Sequence, residues 1–577
     1  MARTVSFAAN PLLKVKLPAW RSRLIVMALS GAFAALGARA VWLQVVTEDF
    51  LQRQGEVRYA RTLELPATRG KILDRNGTVV ATSLPAKSIW AIPEDVEATP
   101  AQMTQLGRLL GLPQKDLRAK LSDEDRTFVY LHPQVDNEVA DQIAALNIPG
   151  VHQRRTFKRH WPEGEMLAHV VGFTNQDGIG QEGIELAQQS ALAGKPGSRR
   201  VIKDRLGRVI EDVRAVNDPH DGKDLRLSID TKVQFLAYNA VREAVERHKA
   251  KAAAAVVLDV QTGEVLALVN LPTYNPNARA QLTGAQLRNR ALTDTFEPGS
   301  TMKPFSIAMV LDAGKATPQT VVQTAPGKLT IGPNTIGDAH PHGLLTVEEV
   351  LQKSSNVGTV KLALTMPPQS MWEMLTAAGF GQAPSVGFPG AVAGRVRPAK
   401  SWRPIEQATM SYGHGVSVSL IQMARAYTVF ARNGDLVPLT FAKSDQPAAG
   451  VQVFRPETAR AVRKMLEMAA GPDGTAPKAQ VSGYRVAGKT GTAHKIVDGR
   501  YASKYVASFV GFAPVSRPRV VVAVMVDEPT TGGYYGGQVA APVFAKITSD
   551  VLRTLRIEPD APLEAPRVSA ATVQERT

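Results

Sequence analysis

The 577-residue sequence contains no cysteine. That excludes disulfides, thiolate metal sites and a cysteine nucleophile, and it suits a chain that must persist unbridged in an oxidising compartment. No acidic residue precedes Glu48. No zinc-finger spacing and no Lys/Arg run interleaved with aromatics is present, which argues against nucleic acid as the partner. The glycine cluster Gly532-Gly533-Tyr534-Tyr535-Gly536-Gly537 lacks the Gly-Lys-Ser/Thr ending of a phosphate loop. Asp338-Ala339-His340-Pro341-His342 offers two histidines without a third ligand and reads as a polar loop, so neither a metal nor an organic cofactor is expected.

The chain does have ordinary globular composition, with 44% hydrophobic and 21% charged residues, and a formal net charge of +16. The length predicts roughly three or four folded units. The charge points to an anionic neighbour such as phospholipid or an acidic polymer. Arg3, Lys14, Lys16, Arg21 and Arg23 form a basic head. An apolar stretch from Leu24 resumes after Arg39 and runs through Val46, about the twenty residues a membrane helix needs. Arg39 sits near its far end, where a long side chain reaches the headgroups, and Trp42 suits the interface. The expectation is an uncleaved anchor with a cytoplasmic amino terminus; a signal peptide cut at Ala38-Arg39-Ala40 is the rival. Either way, the chain after residue 47 lies outside the cytoplasm.

The expected division is a cytoplasmic tail (1–23), an anchor (24–46), a strand-rich pedestal module (47–225), an α+β domain (226–557) and a disordered tail (558–577). In the pedestal, the Asn76-Gly77 turn predicts a hairpin returning through Thr78–Ala81. A helical stretch is expected over Thr99–Asn147, a glycine-rich loop over Gly178–Glu185 and another hairpin turn at Asp204–Arg208. From Leu225 to Asp230 a strand is expected, then an amphipathic helix over Thr231–Lys249. Two apolar runs in Ala252–Asn270 form one hairpin, and Tyr505–Ala513 with Arg519–Val526 form another. With a helical insertion between them, the strands predict an antiparallel sheet joining the two ends of the domain.

Three motifs carry the chemistry. Ser300-Thr301-Met302-Lys303 follows Glu297-Pro298-Gly299, at the start of a helix expected to end at Gly314. Residues three apart share a helix face, so a hydroxyl and an amine lie side by side, the pattern of a serine nucleophile with a lysine base. Thr346-Val347-Glu348-Glu349 is a capping box that starts a short helix leading to Ser354-Ser355-Asn356. Lys489-Thr490-Gly491-Thr492 falls on a strand before the terminal hairpin, where small residues let a substrate backbone lie close. Tyr412-Gly413-His414-Gly415 reads as a cleft loop.

This set, in this order, resembles the penicilloyl serine transferases. The fuller context resembles their septal class B members, the FtsI family: Arg288–Ala291 leading into Phe296–Ser300, Arg69–Gly77, Gly180–Glu185 and Trp42-Leu43-Gln44. A departure is Arg159-His160-Trp161-Pro162, where that family usually has Tyr before the proline.

The resemblance implies a membrane-anchored D,D-transpeptidase that crosslinks peptidoglycan stem peptides at the septum and is acylated by β-lactams. It implies Ser300 as nucleophile and Lys303 as its base, which can take the proton only if burial or a neighbouring cation lowers its pKa; Lys489 would be such a cation. Ser354 would relay a proton to the departing amine, and Asn356 would orient substrate and Lys303. Thr490, Gly491 and Thr492 would bind the terminal carboxylate, and the Ser300 and Thr492 N–H groups would form an oxyanion hole. It further implies lipid-linked precursor strands, an FtsW-type membrane polymerase and other divisome proteins as partners, at the inner membrane with the catalytic domain in the periplasm. A β-lactamase is disfavoured by the lack of a Glu-x-x-Leu-Asn string. A side-wall elongation enzyme and a divisome scaffold are the remaining alternatives.

Overall fold

A computed structural model describes residues 18–46, 60–123, 125–126, 128–203, 209–497 and 499–562. The expected turn at Asp204–Arg208 lies outside the described residues, as do 1–17 of the basic head and 563–577 of the tail. The chain forms two compact units, one drawn from 1–67 and 195–220, the other from 68–194 and 221–577.

In the first unit, α1 (Ala19–Val41) runs on through a π turn at Trp42–Val46. It begins before the expected Leu24, so Arg21 and Arg23 are already helical. Its side chains are exposed throughout, and the helix is long and apolar enough to cross a membrane. The same unit contains β1 (Ala60–Leu65), which belongs to a three-stranded sheet described below.

The second unit opens with β2 (Ile72–Leu73) and β3 (Val79–Ala91), the hairpin expected at Asn76-Gly77. Gly77 takes φ 91°, and the Asp74 carboxylate accepts from Asn76 N and Thr78 N, each at 2.8 Å, fixing the turn. Helices α2 (Pro100–Leu110) and α3 (Gln114–Leu121) follow. The expected helical run then fails: β4 (Val129–Asp136) intervenes before α4 (Asn137–Ala145). Val129, Leu131 and Val135 are buried, a period of two that commits the segment to a strand. β5 (Val151–His160) pairs with β3 on the side opposite β4. The Gly178–Glu185 stretch is not wholly loop, since a short helix begins at Gly183. Arg69, Arg159 and Trp161 all donate to the carboxylate of Glu185, which is completely buried. The strands β6 (Gly197–Lys203) and β7 (Val209–Asn217) return to the first unit and complete the sheet β1-β6-β7.

The larger part of the second unit starts at β8 (Leu225–Arg226), shorter than the expected strand, and at α5 (Thr231–His248). Asp230 caps α5 by accepting from Lys232 N and Val233 N. β9 (Ala252–Asp259) and β10 (Val265–Leu271) form the first hairpin. The helical insertion holds α6 (Lys303–Asp312), the small hairpin β11 (Lys328–Ile331) and β12 (Asn334–Gly337), and α7 (Val347–Gln352) with both capping-box bonds formed. It continues through α8 (Asn356–Ala363), α9 (Leu420–Ala431) and α10 (Pro456–Ala470). The chain then closes the sheet with β13 (Ala487–Val497), β14 (Arg500–Ala513) and β15 (Val520–Asp527), and ends in α11 (Gly536–Thr554).

The five strands are antiparallel in the order β10-β9-β15-β14-β13, the arrangement expected from the two distant hairpins. Val520, Val522 and Val524 pack with α5 and α11 on one face. Val521, Ala523 and Met525 pack with α6 and α9 on the other. Burial on both faces explains the unbroken apolar runs. Beyond α11, the segment expected to be disordered is fixed as far as residue 562. Tyr484 Oη donates to Ile557 O, and the Asp560 carboxylate accepts from Arg485 N at 2.7 Å and Ser516 N at 3.0 Å.

Candidate active site

Ser300 stands in a 3₁₀ turn, Gly299–Met302, that runs directly into α6, with Lys303 as its first residue and Pro304 in the first turn. The turn is held from several sides. Tyr427 Oη, fully buried on α9, donates to Thr301 O at 2.8 Å, and Gly299 N donates to Gly413 O at 3.2 Å. Gly413 has φ 90°, and a Cβ there would fall 2.2 Å from Gly299 O. The Tyr412–Gly415 loop is therefore a wall of the cleft, as expected. Glu297 ties this wall to the β13–β14 hairpin: its carboxylate accepts from Gly415 N at 2.7 Å and from Tyr501 Oη at 3.1 Å.

Lys303 is fully buried. Its ammonium nitrogen donates to the Ser354 carbonyl and lies 3.1 Å from Ser354 Oγ. Burial holds its pKa well below the usual lysine range, and the charge of Lys489 lowers it further against a smaller opposing pull from Asp338. Burial and a neighbouring cation were both expected to act, with the neutral form made to depend on Lys489; burial is the larger cause. Asn356 does not orient Lys303 here. Its Nδ2 donates to Gly337 O at 2.7 Å, fastening α8 to β12, and Ser354 takes the orienting place.

Ser354 is in the left-handed region at φ 60°, a conformation costing a non-glycine residue about 1–3 kcal/mol. Its neighbours hold it there. Ser355 Oγ donates to Asp338 Oδ2 at 2.7 Å and caps α8 at Gly358 N, and Val357 N donates to Asp338 Oδ1 at 2.9 Å. Asp338 thus serves α8, and among the described residues no group of three His, Cys, Asp or Glu could hold a metal.

β13 brings the third motif to the same place from the sheet's edge. A Cβ on Gly491 would meet Ser508 Oγ at 2.4 Å and Pro298 O at 2.7 Å, so only glycine lets the strand press on the Ser300 turn. Lys489 is fully buried, and burial pushes its pKa down to about 7. Its nitrogen lies 3.2 Å from Thr490 Oγ1 and 3.4 Å from Thr475 Oγ1. Thr492 Oγ1 accepts from Gly536 N at 2.9 Å, placing the 532–537 glycine cluster against the strand.

Thr475 was not foreseen. Its hydroxyl lies 3.1 Å from Thr490 Oγ1, and its loop also accepts Lys353 Nζ at Asp473 O, so one loop touches both the Ser354 and Lys489 motifs. A hydroxyl after Gly-Pro-Asp-Gly has no signature in sequence. Ser300, Lys303, Ser354, Lys489, Thr490, Gly491 and Thr492 are thus brought together where the Ser300 turn, the Ser354 turn and β13 meet, with Asn356 at the start of α8 beside Ser354.

The cleft can be compared with known proteins. Residues 253–549 match the penicillin binding protein transpeptidase domain, and residues 64–227 match the penicillin-binding protein dimerisation domain. The chain is 45% identical over 553 residues to the probable peptidoglycan D,D-transpeptidase PenA of Neisseria gonorrhoeae, covering 95% of each. It is 42% identical to the peptidoglycan D,D-transpeptidase FtsI of Escherichia coli, covering 94% of this chain and 93% of that one. The solved transpeptidase domain of Burkholderia pseudomallei penicillin-binding protein 3 is 55% identical with a TM-score of 0.54, covering 58% of this chain and 98% of that one. With the dimerisation domain ahead of a transpeptidase domain that carries the Ser300, Ser354 and Lys489 motifs in one cleft, the chain belongs to the class B penicillin-binding protein transpeptidases.

Proposed function

We propose that this chain is a membrane-anchored peptidoglycan D,D-transpeptidase that crosslinks stem peptides at the division septum through an acyl-enzyme on Ser300. The observation that carries the reading is Lys303: a buried amine, held on Ser354 and depressed in pKa, one helical turn from a serine hydroxyl. A neutral lysine is the base such a serine needs.

A stem peptide lies along the free edge of β13 as an added strand. Its terminal carboxylate meets Lys489, Thr490 and Thr492. Ser300 Oγ attacks the penultimate carbonyl as its proton passes to Lys303 Nζ. The oxyanion rests on the Ser300 and Thr492 N–H groups, each worth roughly 3 kcal/mol. The C–N bond breaks, and the departing D-alanine amine takes a proton relayed from Lys303 through Ser354 Oγ, the atom already within hydrogen-bond reach. An amine of a second stem peptide then attacks the ester, loses its proton along the same route and restores Ser300. β-Lactams mimic the first substrate and stop at the ester.

The basic head supports an amino terminus in the cytoplasm, with the remainder in the periplasm. Residues 47–225 serve as pedestal and 226–557 as the transpeptidase domain. No glycan-polymerising domain fits between anchor and residue 225, so a membrane polymerase of the FtsW type supplies the strands. The septal assignment rests on the stretch Asn289–Pro298 and on likeness to the protein named FtsI.

Labelled penicillin tests the chemistry. The wild-type chain forms a stable adduct and Ser300→Ala none, at unchanged melting temperature. Rapid loss of the wild-type adduct would instead indicate a hydrolase. A fluorescent fusion collects at midcell; side-wall fluorescence would transfer the enzyme to elongation.

A further inference from the structure

The sheet β4-β3-β5 has two unlike faces. Ile89, Ala91, Val129 and Leu131 pack beneath α2 and α4 in one buried cluster. The alternation of a strand sends the residues between them to the opposite face. There, Tyr130, Trp90 and His152 stand in register on three adjacent strands. Trp90 stacks on His152 with ring centroids 4.4 Å apart. Phe128 completes the row, 5.1 Å from Trp90 and edge-on to Tyr130 at 4.6 Å. Phe128 and Tyr130 are 45% and 44% exposed. Rings held in contact yet open to water are an expensive arrangement for a surface with nothing to bind.

The rim is polar and carries cations. Arg154 lies two residues beyond His152 on the same face, opposite Ser88. Lys120 Nζ donates to Tyr130 O at 2.9 Å, and Asp123 at the same end is paired with Arg126. The row crosses two inter-strand spacings, about 10 Å, the length of a disaccharide. Flat apolar rings bordered by hydrogen-bond donors are the chemistry that recognises a polysaccharide, the rings taking the C–H faces of the sugars and the donors taking their hydroxyl and acetamide oxygens.

We infer that this aromatic row is a second, non-catalytic binding site for the glycan backbone of a peptidoglycan strand. The inference rests on the transpeptidase reading, which makes that polymer the substrate. A grip on the sugars holds the strand while its stem peptides reach Ser300, and it raises the effective concentration of substrate without adding to the chemistry.

Sedimentation with insoluble peptidoglycan tests it, using the full chain in detergent with Ser300 blocked by penicillin. Glycan strands stripped of stem peptides serve as competitor. The wild-type chain co-sediments and the stripped strands displace it. The double variant Phe128→Ser, Tyr130→Ser binds about tenfold more weakly, the loss expected when about 1–3 kcal/mol goes with a stacked ring. Its acylation by labelled penicillin is unchanged. Equal sedimentation of variant and wild type overturns the proposal. So does failure of the stripped strands to compete, or a difference seen only with acidic phospholipid vesicles, which would make the face a membrane contact. Failure of penicillin to label Ser300 would remove the transpeptidase reading, and sedimentation of the unblocked chain would still judge this face.

Discussion

Replacing Lys303 by Met lowers acylation by labelled penicillin by about 10³-fold, within the range a positioned general base contributes, yet raises the melting temperature. The opposite signs share one cause. Lys303 is wholly buried, and its pKa is lowered chiefly because burial disfavours the ammonium. Folding must therefore strip a proton from this side chain or bury its charge, and either is a cost to stability. Methionine fills the same volume without that cost and gives up the bonds to Ser354. The net gain corresponds to roughly 5 °C. Between the folded and unfolded pKa values the unfolded wild-type chain binds more protons, so its stability climbs with pH. The advantage of Lys303→Met is then greatest below the folded pKa and shrinks as pH approaches about 10. Scanning calorimetry across pH checks this. An unchanged or lower melting temperature at acid pH would refute the burial account.

The same two lysines shape the rate profile of the wild-type enzyme. Lys489 depresses Lys303, so Lys303 loses its proton first as pH rises. Acylation climbs as Lys303 becomes neutral and declines as Lys489 loses its charge near pH 7 and with it the attraction for the substrate carboxylate. In the Lys303→Met variant the rising limb is absent.

The chemistry was legible in the sequence because it depends on residue types at fixed spacing, such as Ser300 three residues before Lys303. The sheet was legible because its strands are buried on both faces, which leaves unbroken apolar runs at 252–258, 265–269 and 520–526. What was not legible depends on contacts between distant residues. Asn356 was expected on Lys303, and the chain instead uses it to fasten α8 to β12, since the left-handed turn at Ser354 delivers that residue's carbonyl and hydroxyl to the amine. Thr475 enters the site only because its loop is pressed between β13 and Lys353. The strand β4 was hidden by polar residues on its open face and by Pro133, which cannot donate to a ladder. Residues 558–562 looked disordered by composition, yet the Asp560 carboxylate holds them to Arg485 and Ser516, and Ala561 N donates to Gly483 O.

Glu185→Ala lowers the melting temperature by about 10 °C, the larger of the two stability effects foreseen, from a site that takes no part in the cleft. Glu185 is completely buried between two guanidinium groups. Arg69 Nε is 2.6 Å from Oε2, Arg159 Nε 2.8 Å from Oε1, and Trp161 Nε1 donates to the same oxygen at 3.3 Å. Trp161, where the family usually has Tyr, thus keeps a polar atom aimed at this carboxylate. Burial already pulls the Arg159 pKa down, and Glu185 is the first opposing influence. Removing the carboxylate leaves two cations facing each other in the core, and breaking a buried pair costs about 3–5 kcal/mol. Glu185→Gln keeps the shape and loses the charge, so it falls between wild type and alanine. The triple replacement Arg69→Met, Arg159→Met, Glu185→Leu removes every buried charge at once and recovers most of the loss, because an apolar substitute for a buried ion cluster is often neutral or better. Non-additivity across these variants separates pairing from packing. Acylation of the folded fraction stays at the wild-type rate in each variant. A shift under about 2 °C for Glu185→Ala would mean that water or relaxation supplies the two arginines with partners, and that the cluster contributes little to holding the pedestal together.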